Sequence, residues 1–113
     1  MADVQIPPPQ YVEEALDDLE KLDNSARQRV VSAMLNTARM IVESGGKYGK
    51  PLGNQNSSCL ANCRKVKVGN IRVVYRLIKK DNGMQVIVIG ARADKKVYKE
   101  AQRRLKKLGA TKP

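Results

Sequence analysis

Two β-branched runs that meet at Gly69-Asn70 constrain this chain more than any other feature. A two-residue Gly-Asn loop joins antiparallel strands and fixes their register. Val68 then pairs with Ile71, Lys67 with Arg72 and Lys65 with Val74. Successive side chains alternate between faces, so Val66, Val68, Ile71, Val73, Tyr75 and Leu77 define a core face. Lys65, Lys67, Arg72 and Arg76 fall on the other. This sets Lys67 directly across from Arg72, although like charges opposed in this way destabilise a sheet. Such a face is either simply solvated or built for a polyanion. Downstream, Met84 to Ala91 is apolar on both faces, as a central strand is. Asp94 reads as the N-cap of a helix beginning near Lys95. Arg92 then sits at a strand end and Tyr98 in the helix's first turn, both within reach of the basic face.

The remaining elements follow from periodicity and capping. Ala2 to Ile6 is expected to form a short strand, ended by Pro7-Pro8-Pro9, with Pro9 near the start of a helix. Over residues 10–22, Val12, Ala15, Leu16, Leu19 and Leu22 recur at helical spacing. After a turn at Asp23-Asn24, Ser25 with Gln28 makes a capping-box pattern. A second helix then runs to about Glu43, with Val30, Val31, Met34, Leu35, Ala38, Ile41 and Val42 facing inward. Residues 45–58 read as a polar loop. Its Gly49-Lys50 lacks the spacing of a phosphate-binding loop, and Pro51 stands where that motif needs Ser or Thr. The last helix, from about Lys95 to Leu108, carries a stripe of Val97, Ala101, Leu105 and Leu108, with Gly109 suited to the position after its end. Tyr98 lies at the stripe's edge, where it is either a half-buried core residue or part of a site. The expected architecture is α+β over residues 1–113 as a single domain. An N-terminal strand and a two-helix hairpin pack on a mainly antiparallel sheet, followed by a C-terminal helix.

Charge narrows the partners. The net charge is +11, and its distribution is uneven. Residues 1–24 carry seven acids and one base, residues 25–113 the other four acids and 21 bases. The basicity therefore belongs to the sheet and the last helix, as expected either of a protein that binds RNA or a ribosomal surface through phosphates or of a merely soluble basic protein. No apolar run approaches the roughly 20 residues of a membrane span, and the N-terminus shows neither the basic region nor the apolar core of a signal peptide. A cytoplasmic protein with no membrane partner is expected. There are two cysteines and no histidine. A structural zinc site takes four such ligands, so no metal or other cofactor is expected. Cys59 and Cys63 are expected as thiols rather than as a disulfide.

The ordered set Lys65-x-Lys67, then Gly69-Asn-Ile-Arg-Val-Val-Tyr75, then Gly90-x-Arg92 with Tyr98 six residues on, resembles the RelE/ParE superfamily of toxins from type II toxin–antitoxin systems. More narrowly, it resembles the RelE branch of ribosome-dependent mRNA endonucleases. The resemblance covers most of the chain and is strongest from Leu60 to Leu105. It implies an active site of Lys65, Lys67, Arg72, Arg92 and Tyr98, with Arg64, Arg76, Lys95 and Lys96 expected to bind RNA around it. It also implies a cognate antitoxin and action on mRNA in the ribosomal A site.

Metal-independent cleavage turns the neighbouring 2′-OH onto phosphorus. That needs a base, cations for the phosphate charge and help for the departing 5′-oxygen. With no histidine, and no paired carboxylates in the basic region, lysine, arginine and tyrosine must serve. Crowded cations lower a lysine's pKa, which gives the Lys67–Arg72 opposition a use. Guided by the resemblance, Lys67 is the expected base, Lys65 and Arg72 hold phosphate, Arg92 assists the leaving oxygen, and Tyr98 stacks on a nucleobase. Two alternatives stand beside this reading: a gyrase poison of the ParE branch, which shares the fold, and a basic RNA-binding protein without catalysis.

Overall fold

The structure, a computed structural model, describes residues 6–51, 63–78, 82–91 and 94–108. The hairpin forms as its turn dictates. Strands β3 (Cys63–Val68) and β4 (Ile71–Ile78) pair antiparallel with Val68 opposite Ile71, Lys67 opposite Arg72 and Lys65 opposite Val74. Gly69 takes φ +63°, the left-handed region that such a turn requires and glycine supplies without strain. Strand β5 (Gly83–Gly90) pairs antiparallel with β4 on its other side.

Two short strands complete the sheet. Gln10–Tyr11 is β1 and pairs parallel with β5; Lys50–Pro51 is β2 and pairs antiparallel with β3. The order across the sheet is β1-β5-β4-β3-β2. The expected strand over Ala2 to Ile6 lies outside the described residues except for Ile6. Gln10 and Tyr11, expected as helix, are strand instead. The open edge of β5 offers them backbone partners, and Pro7-Pro8-Pro9 feeds that edge rather than a helix. Likewise Lys50 and Pro51, expected as loop, close the edge of β3.

Helix α1 spans Glu13–Glu20 and α2 spans Asn24–Glu43. The cap of α2 is Asp23, whose Oδ1 accepts from Ala26 N at 2.7 Å, and not Ser25. Asp23 is two residues earlier than the capping-box pattern placed the start, and a carboxylate caps well. Val30, Met34, Ala38 and Ile41 are buried as expected, joined by Ala26 and Thr37. Leu35 is 56% exposed, because it sits beyond the edge of the stripe that meets the sheet. The described part of α3 is Asp94–Lys107. Its buried residues are Val97, Tyr98, Ala101, Arg104 and Leu105, whereas Leu108 lies past the helix end and is exposed. Gly109 lies outside the described residues.

Val86 to Ile89 are all buried, as are the adjacent Val73 and Val74. Consecutive buried residues on a strand mean cover on both faces, supplied here by α1 and α2 and by α3, each of which meets β5. No described helix is long and apolar enough to cross a membrane. The register between β4 and β5 slips by one residue, because Val74 pairs with Val88 but Tyr75 with Val86. Ile87 is thus a bulge residue. Its carbonyl accepts from Arg104 Nη1 at 2.9 Å, and the same nitrogen meets Asp18 Oδ2 at 2.6 Å. Asp18 also accepts from Ile89 N at 3.0 Å. One buried ion pair therefore ties α3, α1 and β5 together.

Burial opposes the charge of Arg104, yet hydrogen bonds to Asp18 and Glu100 leave its pKa raised. Glu100, hydrogen-bonded to Arg103 and then Arg104, is held down at about 2. Removing one partner of such a pair leaves the other buried and uncompensated, so Arg104→Met should lower the unfolding free energy in urea by about 3 kcal/mol. A depressed carboxyl pKa stabilises the fold above the ordinary value and loses that contribution as pH falls through it. Stability should therefore decline from about pH 4.5 toward pH 2, and Glu100→Gln should make that decline shallower in acid titrations followed by circular dichroism.

Candidate functional site

Lys65 and Lys67 project from one face of β3, and Arg72 faces Lys67 from β4. The short Gly-Asn turn makes this unavoidable, since no other register satisfies a two-residue loop. Helix α3 then delivers Tyr98 to the same face. Lys65 Nζ lies 5.7 Å from the centroid of the Tyr98 ring, a cation–π distance. These four side chains, with Tyr48, Gly49 and Val66, line one cavity of about 490 Å³. None of the described residues that line it is acidic. Such a cavity has a cationic floor that suits a phosphodiester and a tyrosine wall beside it.

The other expected residues are distributed differently. Arg92 lies outside the described residues. Arg64 turns toward the segment after α2, where Nη1 donates to the carbonyls of Gly46, at 2.8 Å, and Tyr48. Arg76 Nε donates to Gln85 Oε1 at 2.7 Å, across the β4–β5 pairing. It stands four residues, about 13 Å along the strand, from Arg72. Lys95 and Lys96 are exposed in the first turn of α3, and Lys96 lines a cleft between α1 and α3, away from the cationic floor. Cys63 is buried at the start of β3, and Cys59 lies outside the described residues. Among the described residues, no group of three or more His, Cys, Asp or Glu side chains is placed to hold a metal ion.

Tyr48 and Gly49 belong to the cavity although sequence reasoning passed them over as loop. The available signal was an aromatic residue set between glycines in an otherwise polar stretch. Their position is built by three contacts. Ser44 Oγ, at the end of α2, accepts from Lys47 N at 3.1 Å and Tyr48 N at 2.8 Å. Arg64 holds the Tyr48 carbonyl from the other side. Gly49 takes φ +106° and presses against Tyr75, so that a Cβ there would stand 2.2 Å from the phenol oxygen. That phenol is fully buried and has no hydrogen-bond partner among the described residues. Burial, partly offset by Arg64, pushes its pKa up to about 12.

A family model described as ParE toxin of type II toxin–antitoxin system, parDE, matches residues 10–98. Among solved structures, the chain is similar to a mutant of E. coli toxin RelE in the free state. Identity is 25%, over 86% of this chain and 95% of that one, with a TM-score of 0.63. The isolated E. coli RelE toxin matches at 25% identity over 86% of this chain and 96% of that one, with a TM-score of 0.55. A RelBE toxin–antitoxin complex from Mycobacterium tuberculosis shares the fold at 22% identity, over 74% of this chain and 95% of that one, with a TM-score of 0.51. No curated protein matches by sequence.

The packing around Gly49 makes a separable prediction. Gly49→Ala should cost roughly 2 kcal/mol, combining left-handed backbone strain with the clash against Tyr75. Tyr75→Phe should be neutral or stabilising, since it removes a buried hydroxyl that has no partner among the described residues. The double variant should recover part of the Gly49→Ala loss in a urea denaturation cycle, because the clash disappears while the backbone strain stays.

Proposed function

This chain belongs to the ParE toxin family of type II toxin–antitoxin systems, within the RelE/ParE superfamily, and beyond that membership we propose that it is a metal-independent endoribonuclease that cleaves mRNA in the ribosomal A site. The observation that carries the reading is the single cavity lined by Lys65, Lys67, Arg72 and Tyr98. A merely basic surface has no need of two opposed cations on paired strands, with a third side chain ordered by an aromatic ring.

In the proposed reaction the 2′-OH attacks the adjacent phosphorus and the 5′-oxygen departs. The products are a 2′,3′-cyclic phosphate and a 5′-hydroxyl. Lys67 takes the 2′-OH proton. Lys65 and Arg72 hold the phosphate oxygens, with Tyr98 supporting Lys65 from below. Arg92 stabilises the charge on the leaving 5′-oxygen, which takes a proton from water to become the 5′-hydroxyl. No residue here is an obvious base at neutral pH, so the ribosome contributes by aligning the 2′-OH with the phosphate. The proposed partners are the ribosome with its mRNA and a cognate antitoxin that covers the cationic floor with acidic and apolar residues. The RelE structures solved with antitoxin support that partner.

The second reading is a gyrase poison, favoured by the ParE description of the matching family model. Induction in cells separates the two. The nuclease reading expects protein synthesis to stop first, with new mRNA ends mapped by primer extension; an early arrest of DNA replication with intact mRNA supports the gyrase reading. Purified protein should cut mRNA on programmed ribosomes and scarcely cut naked RNA.

The role of Lys67 has its own test. Arginine keeps the charge but does not give up a proton near neutral pH. Lys67→Arg should therefore lose nearly as much single-turnover cleavage as Lys67→Ala while retaining ribosome binding. A Lys67→Arg variant that keeps most of its rate would assign the base elsewhere.

A further inference from the structure

Tyr48 is an aromatic residue of the cavity to which the proposed reaction gives no role. The aromatic residues lining the cavity are Tyr48 and Tyr98, and they are not equivalent. Tyr98 is 7% exposed, packed in the core cluster, with the Lys65 ammonium over its ring. In this structure the Lys65 ammonium stands over that ring face, 5.7 Å from its centroid. Tyr48 is half-buried, packed against the core on one side and lining the cavity on the other. Its backbone is held on both sides, by Ser44 Oγ at the amide and by Arg64 at the carbonyl. The next residue, Gly49, is wedged against Tyr75.

From this arrangement we infer that Tyr48 is the base-stacking residue of the site, placed to hold a nucleobase beside the phosphate that Lys65, Lys67 and Arg72 engage. The inference rests on the endoribonuclease reading above and moves the stacking role from Tyr98 to Tyr48. Three features favour it. Tyrosine presents a rigid, flat surface at the cost of few rotatable bonds. The segment is tied down before RNA arrives, so little ordering remains for binding to offset. Stacking also tolerates any base, because every base has a π face. Arg64 thereby becomes a positioning residue: it acts on the nucleotide through the Tyr48 carbonyl rather than by touching RNA.

The test is single-turnover cleavage on ribosomes programmed with two kinds of message. One is intact, and the other carries an abasic ribonucleotide at each A-site position in turn. On the intact message, Tyr48→Leu should lose roughly 5- to 150-fold in rate, the range that corresponds to stacking of about 1–3 kcal/mol per base. Tyr48→Phe should stay within about twofold of the unmodified protein, because a phenyl ring stacks as a phenol does. At one abasic position, unmodified protein and Tyr48→Leu should cut equally slowly. Equal factors lost by Tyr48→Leu on intact and on all abasic messages would mark a structural role and overturn the inference. So would full activity of Tyr48→Leu. Should leucine lower the melting temperature, Tyr48→Met keeps apolar bulk against the core without a ring and carries the same expectation. Failure of the unmodified protein to cut programmed ribosomes overturns the nuclease reading, and the stacking role with it. Normal cutting with no Tyr48 effect overturns the stacking role alone.

Discussion

The pairing of Arg104 with Asp18 holds the site together from the side away from it. Arg104 is buried, bonds the carboxylate of α1 and also satisfies the bulged carbonyl of Ile87. Without the bulge, that carbonyl would have no reason to meet a helix. Without the arginine, it would be a buried acceptor lacking its partner, which costs more than the bond itself returns. The contact sets where α3 lies on the sheet. Val97, Ala101 and Leu105 then fill the space beneath the helix, and Tyr98 arrives at Lys65. A polar contact at one end of a helix thus decides the geometry of an aromatic wall at the other.

The same contact explains the uneven charge of the chain. Two of the acids of α1, Glu14 and Asp18, do more than solubilise an exposed face. Asp18 bonds Arg104, and Glu14 meets Arg103, Arg104 and Lys107. Glu100 completes the network within α3. Part of the basic excess of the last helix is therefore balanced internally, at the rear of the domain. On the β3–β4 face, the cavity is lined with Lys65, Lys67 and Arg72, and none of its described lining residues is acidic. Setting Lys67 across from Arg72 costs stability, and a core made of a well-paired sheet covered on both faces tolerates that cost.

Order at the cavity comes from the fold rather than from the cationic residues themselves. Tyr98 stands on α3, Lys65 rests over its ring, and Tyr48 is held by Ser44 and Arg64. Arg64 illustrates the difference between composition and role. It is a basic residue in a basic strand, and one nitrogen of its guanidinium serves two backbone carbonyls of this chain. Arg76 is likewise engaged, by Gln85.

What the sequence determined by itself was local or nearly so. The Gly69-Asn70 turn sets the register, and the register sets Lys67 against Arg72, because a two-residue loop leaves the pairing no freedom. Helical periodicity found α2 and the Val97, Ala101 and Leu105 stripe, because burial on one face leaves a repeat that can be counted. The α+β class followed from those elements. Tertiary structure decided whatever depended on a partner far along the chain. Gln10 and Tyr11 became a strand because β5 had an open edge to pair with, a fact no window around residue 10 contains. Tyr98 proved buried because α3 docks through Arg104 to an acid 86 residues away. Tyr48 entered the cavity because Arg64 and Tyr75 shape the chain around it. Pairings between distant residues leave no periodic trace in sequence, so only the folded chain brings Tyr48 and Tyr98 to the same cations.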